Sequence, residues 1–223
     1  MHILQQKIIS RLIHRSGARF AELKPEGLES NHYVYHLKSL IREGLVKKSG
    51  NLYQLTAKGK QLVDKLSLQD FRERIQPKIV TMVACKNNRG EFLLYRRARQ
   101  PFLGTVGFPY GKIHLGETIL EAANRELKEK TGLSAKLKHR GEVYLTVYEN
   151  GDLVSQILCH VFSGAQSAGK LVGQSSGGEC FWSKLSGLKK SELIPGFLEI
   201  VKLLEKHSPG QLFFGEYVFK LKA

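Results

Sequence analysis

The stretch from residue 117 to residue 130 limits the fold most narrowly, because its pattern fits a helix with two distinct faces. Four apolar residues share one face at helical spacing: Ile119, Leu120, Ala123 and Leu127. At about 100° per residue, Glu126 and Glu129 lie about 60° apart on another side. The pattern therefore predicts a helix that buries one side and brings two carboxylates together on the other.

Glycines flank the loop that leads into this helix. Gly111 and Gly116 allow the backbone to approach an ion or a phosphate closely. Paired carboxylates are ligands of divalent cations, and Glu117 in the first turn is favoured by the helix dipole. Without further signal, i,i+4 pairs such as Glu126 with Lys130 describe an ordinary exposed helix face equally well.

The spacing of these residues distinguishes the two interpretations. The run GKIHLGETILEAANRELKEKTGL resembles the signature of the Nudix hydrolases: glycine, five residues, glutamate, seven residues, then Arg-Glu-apolar-x-Glu-Glu-x-Gly-apolar. The matching positions are Gly111, Glu117, Arg125, Glu126, Leu127, Glu129, Gly132 and Leu133. The resemblance covers residues 77 to about 206. It implies a mixed sheet with packed helices, Mg²⁺ or Mn²⁺ as cofactor, and a nucleotide-like substrate.

The resemblance also implies roles for individual residues. Glu126 and Glu129 take the catalytic and metal-binding positions, and the Gly111 carbonyl is a further metal ligand. The signature departs from the family at Lys130, which replaces its second glutamate and lies where it can pair with Glu126. A loose alignment makes Glu179, ahead of the tryptophan at position 182, a compensating acidic ligand.

Basic and aromatic residues outside the signature are candidate ligand contacts. Arg96, Arg97 and Arg99 precede the loop and are predicted to bind phosphates, although such a cluster is as often a basic surface. Phe108, Tyr110 and Trp182 are candidates for stacking on a base, with core packing as the commoner alternative.

Residues 1–68 follow a different pattern, in the order helix, helix, helix, hairpin, helix. The segment HLKSLIREGLVKKSGNLYQLTAKGKQL resembles the winged helix-turn-helix domains of transcription regulators. The apolar side of its third helix is predicted to carry Val34, Leu37, Leu40 and Ile41. Candidate nucleic-acid contacts are Asn31, Tyr35, Lys38 and Arg42 on the opposite side, with Lys47 and Lys48 at phosphates. The alternative is the solvated face of a docking or dimerisation module.

Composition supports two folded, soluble domains. The polar segment before Pro77 predicts a winged helix domain at 1–68, a linker at 69–76 and a Nudix-like domain at 77–223, of α+β class. The net charge of +15 favours polyanionic partners, either nucleic acid or phosphorylated small molecules. Three cysteines without paired spacing and no long apolar run predict a cytoplasmic protein without a membrane segment. Oligomeric state stays open, and the apolar tail 212–221 is expected to add a strand to its own domain.

Two functions fit these features. The first is a metal-dependent hydrolase of a nucleoside diphosphate derivative, coupled to a nucleic-acid-binding domain. The second is a transcription regulator in which a catalytically weakened Nudix domain senses a nucleotide metabolite. The signature favours the first function, and Lys130 together with the additional domain favours the second.

Overall fold

The computed structural model describes residues 1–67, 71–175 and 177–222. The chain divides into two compact units, Met1–Gln76 and Pro77–Ala223. Residues 69 and 70 of the predicted linker lie outside the described residues. None of the helices in the described part of the chain is long and apolar enough to cross a membrane.

The first unit combines four helices with a small antiparallel sheet. Its elements are α1 (Ile3–Ile13), β1 (Ala18–Arg19), α2 (Phe20–Leu23), α3 (Ser30–Arg42), β2 (Val46–Ser49), β3 (Leu52–Leu55) and α4 (Ala57–Lys65). The strands lie in the order β1-β3-β2. The predicted order of three helices, a hairpin and a helix is confirmed, and the short strand β1 was not predicted.

The core of the first unit lies between α1, α3 and the sheet. On α3 the side chains of Tyr33, Leu37 and Leu40 are buried, and the Tyr33 hydroxyl donates a hydrogen bond of 2.8 Å to the Phe20 carbonyl. The prediction that Ile41 faces inward is wrong, because 38% of this residue is exposed. Tyr33 is buried on this helix instead, since its ring is apolar and its hydroxyl has a partner.

The second unit is built on one mixed sheet. Its strands are β4 (Lys78–Lys86), β5 (Phe92–Arg97), β6 (Val106–Gly107), β7 (Tyr110–Lys112), β8 (Ser134–Ala135), β9 (Lys138–Glu149), β10 (Asp152–Ala168), β11 (Gln174–Ser175), β12 (Gly178–Ser183) and β13 (Phe213–Leu221). Its helices are α5 (Ile119–Thr131) and α6 (Phe197–Lys206), with short 3-10 turns at Leu185–Gly187 and Lys190–Glu192.

The strand order combines parallel and antiparallel neighbours. The main path runs β11-β12-β5-β4-β10-β9-β13, with β6 beside β5, β7 beside β4 and β8 beside β10. The pairs β4–β10 and β9–β13 are parallel, and the others are antiparallel. The predicted mixed sheet is confirmed, as is the expectation that the tail forms a strand within its own domain.

Helices cover both faces of this sheet. Ala123 and Leu127 of α5 pack in one core with Val83 of β4, whereas Phe197 of α6 packs in another core with Val80 of β4. Successive residues of β4 therefore serve opposite cores, as the pleat of a strand requires. The carboxylate side of α5 is left next to β7.

Candidate phosphate and metal site

The sequence around α5 fixes both ends of this helix. Thr118 accepts a hydrogen bond from the Glu121 backbone at 3.3 Å, and the Glu121 carboxylate accepts one from the Thr118 backbone at 2.8 Å. This capping box satisfies two of the free donors in the first turn, and the bond from Thr118 lowers the pKa of Glu121. Gly132 ends the helix in the left-handed conformation.

The predicted buried face of α5 needs one correction. Ala123 and Leu127 are buried as expected, but 38% of Ile119 and 48% of Leu120 are exposed. Ala122 is buried on this helix instead. Contact with the core therefore begins after the first turn, and the apolar residues of that turn face solvent.

Arg125 joins three carboxylates. Its Nε and Nη2 atoms bond the two oxygens of Glu117 at 2.5 and 2.9 Å, and its Nη1 lies 2.9 Å from Glu126 and 3.3 Å from Glu129. Nη2 also donates to the Lys112 carbonyl at 3.0 Å. The hydrogen bonds from Arg125, followed by the bond from the His114 backbone, lower the pKa of Glu117 to about 2. The hydrogen bond to Glu117, and then the one to Glu126, raise the pKa of Arg125.

The Glu126 carboxylate lies directly against the backbone of β7. A Cβ atom added to Gly111 would be 1.8 Å from the carboxyl carbon of Glu126, so only glycine leaves room for this carboxylate. Glu126 is 9% exposed, which excludes the ordinary solvated helix face for this residue. Glu129 differs, because 61% of its side chain is exposed.

Lys130 occupies the far side of the same carboxylate. Its Nζ atom is 3.1 Å from Oε2 of Glu126, which confirms the predicted ion pair. The same ammonium donates to the Tyr110 carbonyl and lies 5.3 and 5.2 Å from the ring centroids of Tyr95 and Tyr110. Both oxygens of Glu126 are thus held by cationic side chains, with Arg125 on one and Lys130 on the other.

The ladder between β4 and β7 determines which carbonyl faces this site. Two backbone hydrogen bonds show which residue pairs of this ladder are hydrogen-bonded. Val83 N donates to the Pro109 carbonyl at 2.9 Å, and Ile113 N donates to the Ile79 carbonyl at 3.3 Å. Hydrogen-bonded and non-hydrogen-bonded residue pairs alternate along two antiparallel strands, so Thr81 and Gly111 form a hydrogen-bonded pair. The carbonyl of the preceding residue, Tyr110, therefore points away from β4. The Gly111 carbonyl as metal ligand stays a prediction, and the Tyr110 carbonyl is the one that meets the Lys130 ammonium.

A cavity of about 690 Å³ opens beside these carboxylates. The basic side chains among its described lining residues are His114 and five lysines and arginines: Lys78, Arg97, Arg99, Lys112 and Lys130. Glu126 and Glu129 are the acidic side chains among its described lining residues, and apolar side chains such as Met82 complete the wall. Burial, and then the neighbouring positive charges, lower the pKa of Lys78. The excess of positive charge suits an anionic ligand of nucleotide size.

The three predicted arginines are placed differently. Arg97 is 7% exposed, and its guanidinium donates to the carbonyls of Gln100 and Pro101 and to the Tyr110 hydroxyl. Arg97 and Arg99 line the cavity, but Arg96 is not among its described lining residues and contacts Glu192 at 3.6 Å. The structure therefore brings two of the three arginines to the cavity that Glu126 and Glu129 also line.

Glu179 is not brought to Glu126. Its neighbour Cys180 packs in the core beneath α5, so the alternation of β12 directs Glu179 to the other face of the sheet. Glu179 is exposed and lies opposite Arg96 in the strand register. Its role as a metal ligand stays a prediction without a contact to support it.

Sequence reasoning also missed contributors to the cavity. Lys78 and Lys112 reach it through pairing of β4 with β7, for which no local motif gives a signal. Phe108 is 1% exposed and belongs to the core, so the alternative to stacking is confirmed for this residue. Tyr110 lines the cavity.

In the first unit, the predicted nucleic-acid contacts share exposure to solvent. They are Asn31, Tyr35, Lys38 and Arg42 on α3 and Lys47 and Lys48 on β2. The exposed fraction of Tyr35 is 64%, which is unusual for a large aromatic residue in a helix that also has a buried face. These side chains are therefore free of the core of their own unit.

The mixed sheet, the packed helices and the carboxylates of α5 beside a basic cavity define an α+β domain with a candidate anion site. Residues 76–204, more than half of the chain, match the NUDIX domain family, and the chain belongs to that family. The predicted family membership is thus confirmed.

Two relatives set this membership in context. The chain is similar to an ADP-ribose pyrophosphatase of Methanocaldococcus jannaschii, with 36% identity over 101 residues that cover 43% of this chain and 59% of the relative. It therefore spans less than two thirds of that relative's length. The mutator MutT protein of Bacillus halodurans is similar with 26% identity and a TM-score of 0.54, covering 64% of this chain and 90% of its own.

A third similarity concerns the fold alone. The NUDIX domain of Shewanella oneidensis NrtR, solved in complex with ADP ribose, has 17% identity and a TM-score of 0.52. The match covers 68% of this chain and 98% of that domain.

Proposed function

We propose that this protein is a divalent-metal-dependent NUDIX hydrolase that cleaves the pyrophosphate linkage of an ADP-ribose-like nucleoside diphosphate derivative. The observation that carries the proposal is the cavity of about 690 Å³, in which basic side chains face the carboxylates of α5. The relative named as an ADP-ribose pyrophosphatase supports this substrate class.

The lysine and arginine side chains that line the cavity, here called the basic wall, bind the two phosphates of the substrate. The planar guanidinium of Arg97 is already oriented by backbone carbonyls, so little side-chain entropy is lost when it meets a phosphate. Arg99 and Lys112 are exposed at the same cavity and add charge. Arg125 is a positioning residue, because its guanidinium contacts the carboxylates of Glu117, Glu126 and Glu129 and holds them in place.

The donors on α5 suit Mg²⁺ or Mn²⁺. Glu126 and Glu129 contact the same Nη1 atom of Arg125, so these carboxylate oxygens are at most about 6 Å apart. The Tyr110 carbonyl, which here accepts a hydrogen bond from Lys130, or the Gly111 carbonyl, which the signature suggests, would add a neutral oxygen. A bound divalent ion supplies an activated water and stabilises negative charge on the phosphates.

Activity against a substrate panel tests this proposal. ADP-ribose, nucleoside diphosphate sugars, dinucleotides and nucleoside triphosphates are incubated with Mg²⁺ or Mn²⁺, and products are separated by chromatography. We expect turnover of ADP-ribose-like compounds that Glu129→Gln abolishes and Glu205→Gln, an exposed change on α6, leaves intact. Absence of turnover with every compound would reject the hydrolase proposal.

A second function is favoured by one observation, the ammonium of Lys130 on Glu126. This contact neutralises a catalytic carboxylate while leaving the basic wall free to bind phosphate. In this alternative the NUDIX domain senses a nucleotide metabolite without cleaving it, within a DNA-binding regulator. Tight ADP-ribose binding by calorimetry without turnover, weakened by Arg97→Ala, would favour sensing over hydrolysis.

For residues 1–68 we propose a winged helix domain that binds DNA through α3 and β2. The order of elements and the exposed residues of α3, Tyr35 and Arg42 among them, support this proposal. DNA affinity is measured by fluorescence anisotropy at several salt concentrations, with ADP-ribose present and absent. We expect Arg42→Ala to weaken binding and Lys60→Ala, on α4, to leave it unchanged. Equal affinity for both variants would favour the docking module.

A further inference from the structure

A second group of metal-ligating side chains lies on the strand pair β9–β10, outside the cavity described above. Oε1 of Glu142 is 3.2 Å from Nε2 of His139 and 3.4 Å from Nδ1 of His160. The three ligand atoms all lie within 4.8 Å of one another. We propose that His139, Glu142 and His160 form a binding site for a zinc-type transition-metal ion, distinct from the site on α5.

A β-bulge brings two of these residues to the same face. His160 pairs with Glu142 and Phe162 pairs with His139, while the register shifts between them. Residues three apart, such as His139 and Glu142, face opposite sides of a regular strand, but one extra residue reverses that relation. The bulge therefore places all three side chains on the face that also carries Phe162.

Gly141 makes this bulge possible. Its φ of +140° is rarely adopted by residues with a side chain. A Cβ atom here would also lie 2.0 Å from the carbonyl oxygen of Phe213 on the neighbouring strand β13. The backbone conformation at Gly141 thus determines the spacing of the three side chains, and this spacing does not require a bound ion.

The two distances that involve Glu142 are close to those of a tetrahedral zinc site, and the two imidazole nitrogens lie within 4.8 Å of each other. Ligands bound to zinc at about 2.0–2.2 Å in tetrahedral geometry are separated from one another by about 3.3–3.6 Å. Of the two distances to Glu142, 3.4 Å lies within this range and 3.2 Å lies just below it. Little rearrangement would be required to bind an ion between these atoms.

The imidazole nitrogens have no other partner in the described part of the chain. Nε2 of His139 and Nδ1 of His160 are buried, and neither makes a hydrogen bond. The Glu142 oxygen lies near both nitrogens but outside hydrogen-bond geometry, unlike in a simple His–Glu pair. Buried polar atoms without partners lower the stability of the fold. A metal ion bound by the lone pairs of these two nitrogens would remove that cost.

The donor set selects the kind of ion. Two imidazoles and one carboxylate suit Zn²⁺, whereas Mg²⁺ prefers an all-oxygen environment. The side chains of His139 and Glu142 remain 31% and 32% exposed, so an ion can enter from solvent and a water can complete its shell. The proposal does not depend on the reaction at α5.

Metal titration tests the proposal. Chelator-treated protein is titrated with Co²⁺, whose absorption spectrum reports tetrahedral coordination, and with Zn²⁺ by calorimetry in excess Mg²⁺. We expect one Zn²⁺ per chain, with the Kd raised at least 100-fold in His160→Gln and in Glu142→Gln. Glu129→Gln, in the α5 site, and His36→Ala, near other histidines of the first unit, are controls expected to retain binding.

Thermal unfolding provides a second readout that does not require activity. Zn²⁺ should raise the Tm of the wild type relative to the chelated protein, by an amount that grows with free Zn²⁺, and should leave the Tm of His160→Gln unchanged. Circular dichroism confirms that the variants fold. Absence of Zn²⁺ binding by the wild type, or the same Kd in His160→Gln and wild type, would overturn the proposal.

Discussion

Replacement of Lys130 by glutamine should strengthen divalent-metal binding at α5. In the wild type, an ion that binds Glu126 has to displace the ammonium 3.1 Å away. Coulomb's law gives this pair a gross attraction of about 5 kcal/mol at an effective dielectric constant of about 20. After the cost of desolvation, a hydrogen bond between charged groups contributes about 1.5–3 kcal/mol. The expected decrease in Kd for Mn²⁺ is therefore about 10- to 100-fold.

Mn²⁺ binding followed by electron paramagnetic resonance measures this change directly. Lys128→Gln is the matched control, because it removes the same charge from the same helix, and the Lys128 ammonium bonds the Gly132 carbonyl instead of Glu126. Lys130→Glu should tighten Mn²⁺ binding further, because it restores an acid at this position of the signature. An unchanged Kd in Lys130→Gln, or an equal change in Lys128→Gln, would refute the direct competition between ammonium and metal.

Three further predictions concern the surroundings of this site. Gly111→Ala forces the Glu126 carboxylate away from β7 and should lower the free energy of unfolding by about 1–3 kcal/mol in chemical denaturation, whereas Gly173→Ala has room for its Cβ. The pKa of Glu117 falls from 4.5 to about 2 on folding, so its contribution to stability is present above pH 4.5 and is lost as pH falls toward 2. The Tm difference between wild type and Glu117→Gln should therefore narrow over that interval. Arg97→Lys keeps the charge but not the planar donor geometry, and calorimetry should show ADP-ribose binding about 10-fold weaker.

The sequence predicted the contact between Glu126 and Lys130 because both residues lie on one helix. The spacing of Glu126 and Lys130 determines their contact directly, and the ion pair was found as predicted. Periodicity did not show where the helix meets the core, so Ile119 and Leu120 were wrongly placed inside. Lys78 was missed because its position at the cavity depends on strand pairing, which no local pattern encodes.

The cluster on β9 shows the same limit more sharply. In a regular strand, residues 139 and 142 lie on opposite faces of the sheet. The sequence pattern alone therefore predicts that His139 and Glu142 do not meet. One bulged position, made possible by Gly141, reverses this and brings both residues beside His160 of the next strand. A single bulged residue thus decides whether metal-ligating side chains in a strand lie on the same face. Where such side chains flank a glycine inside a strand, both the regular and the bulged register should be considered before a metal site is excluded.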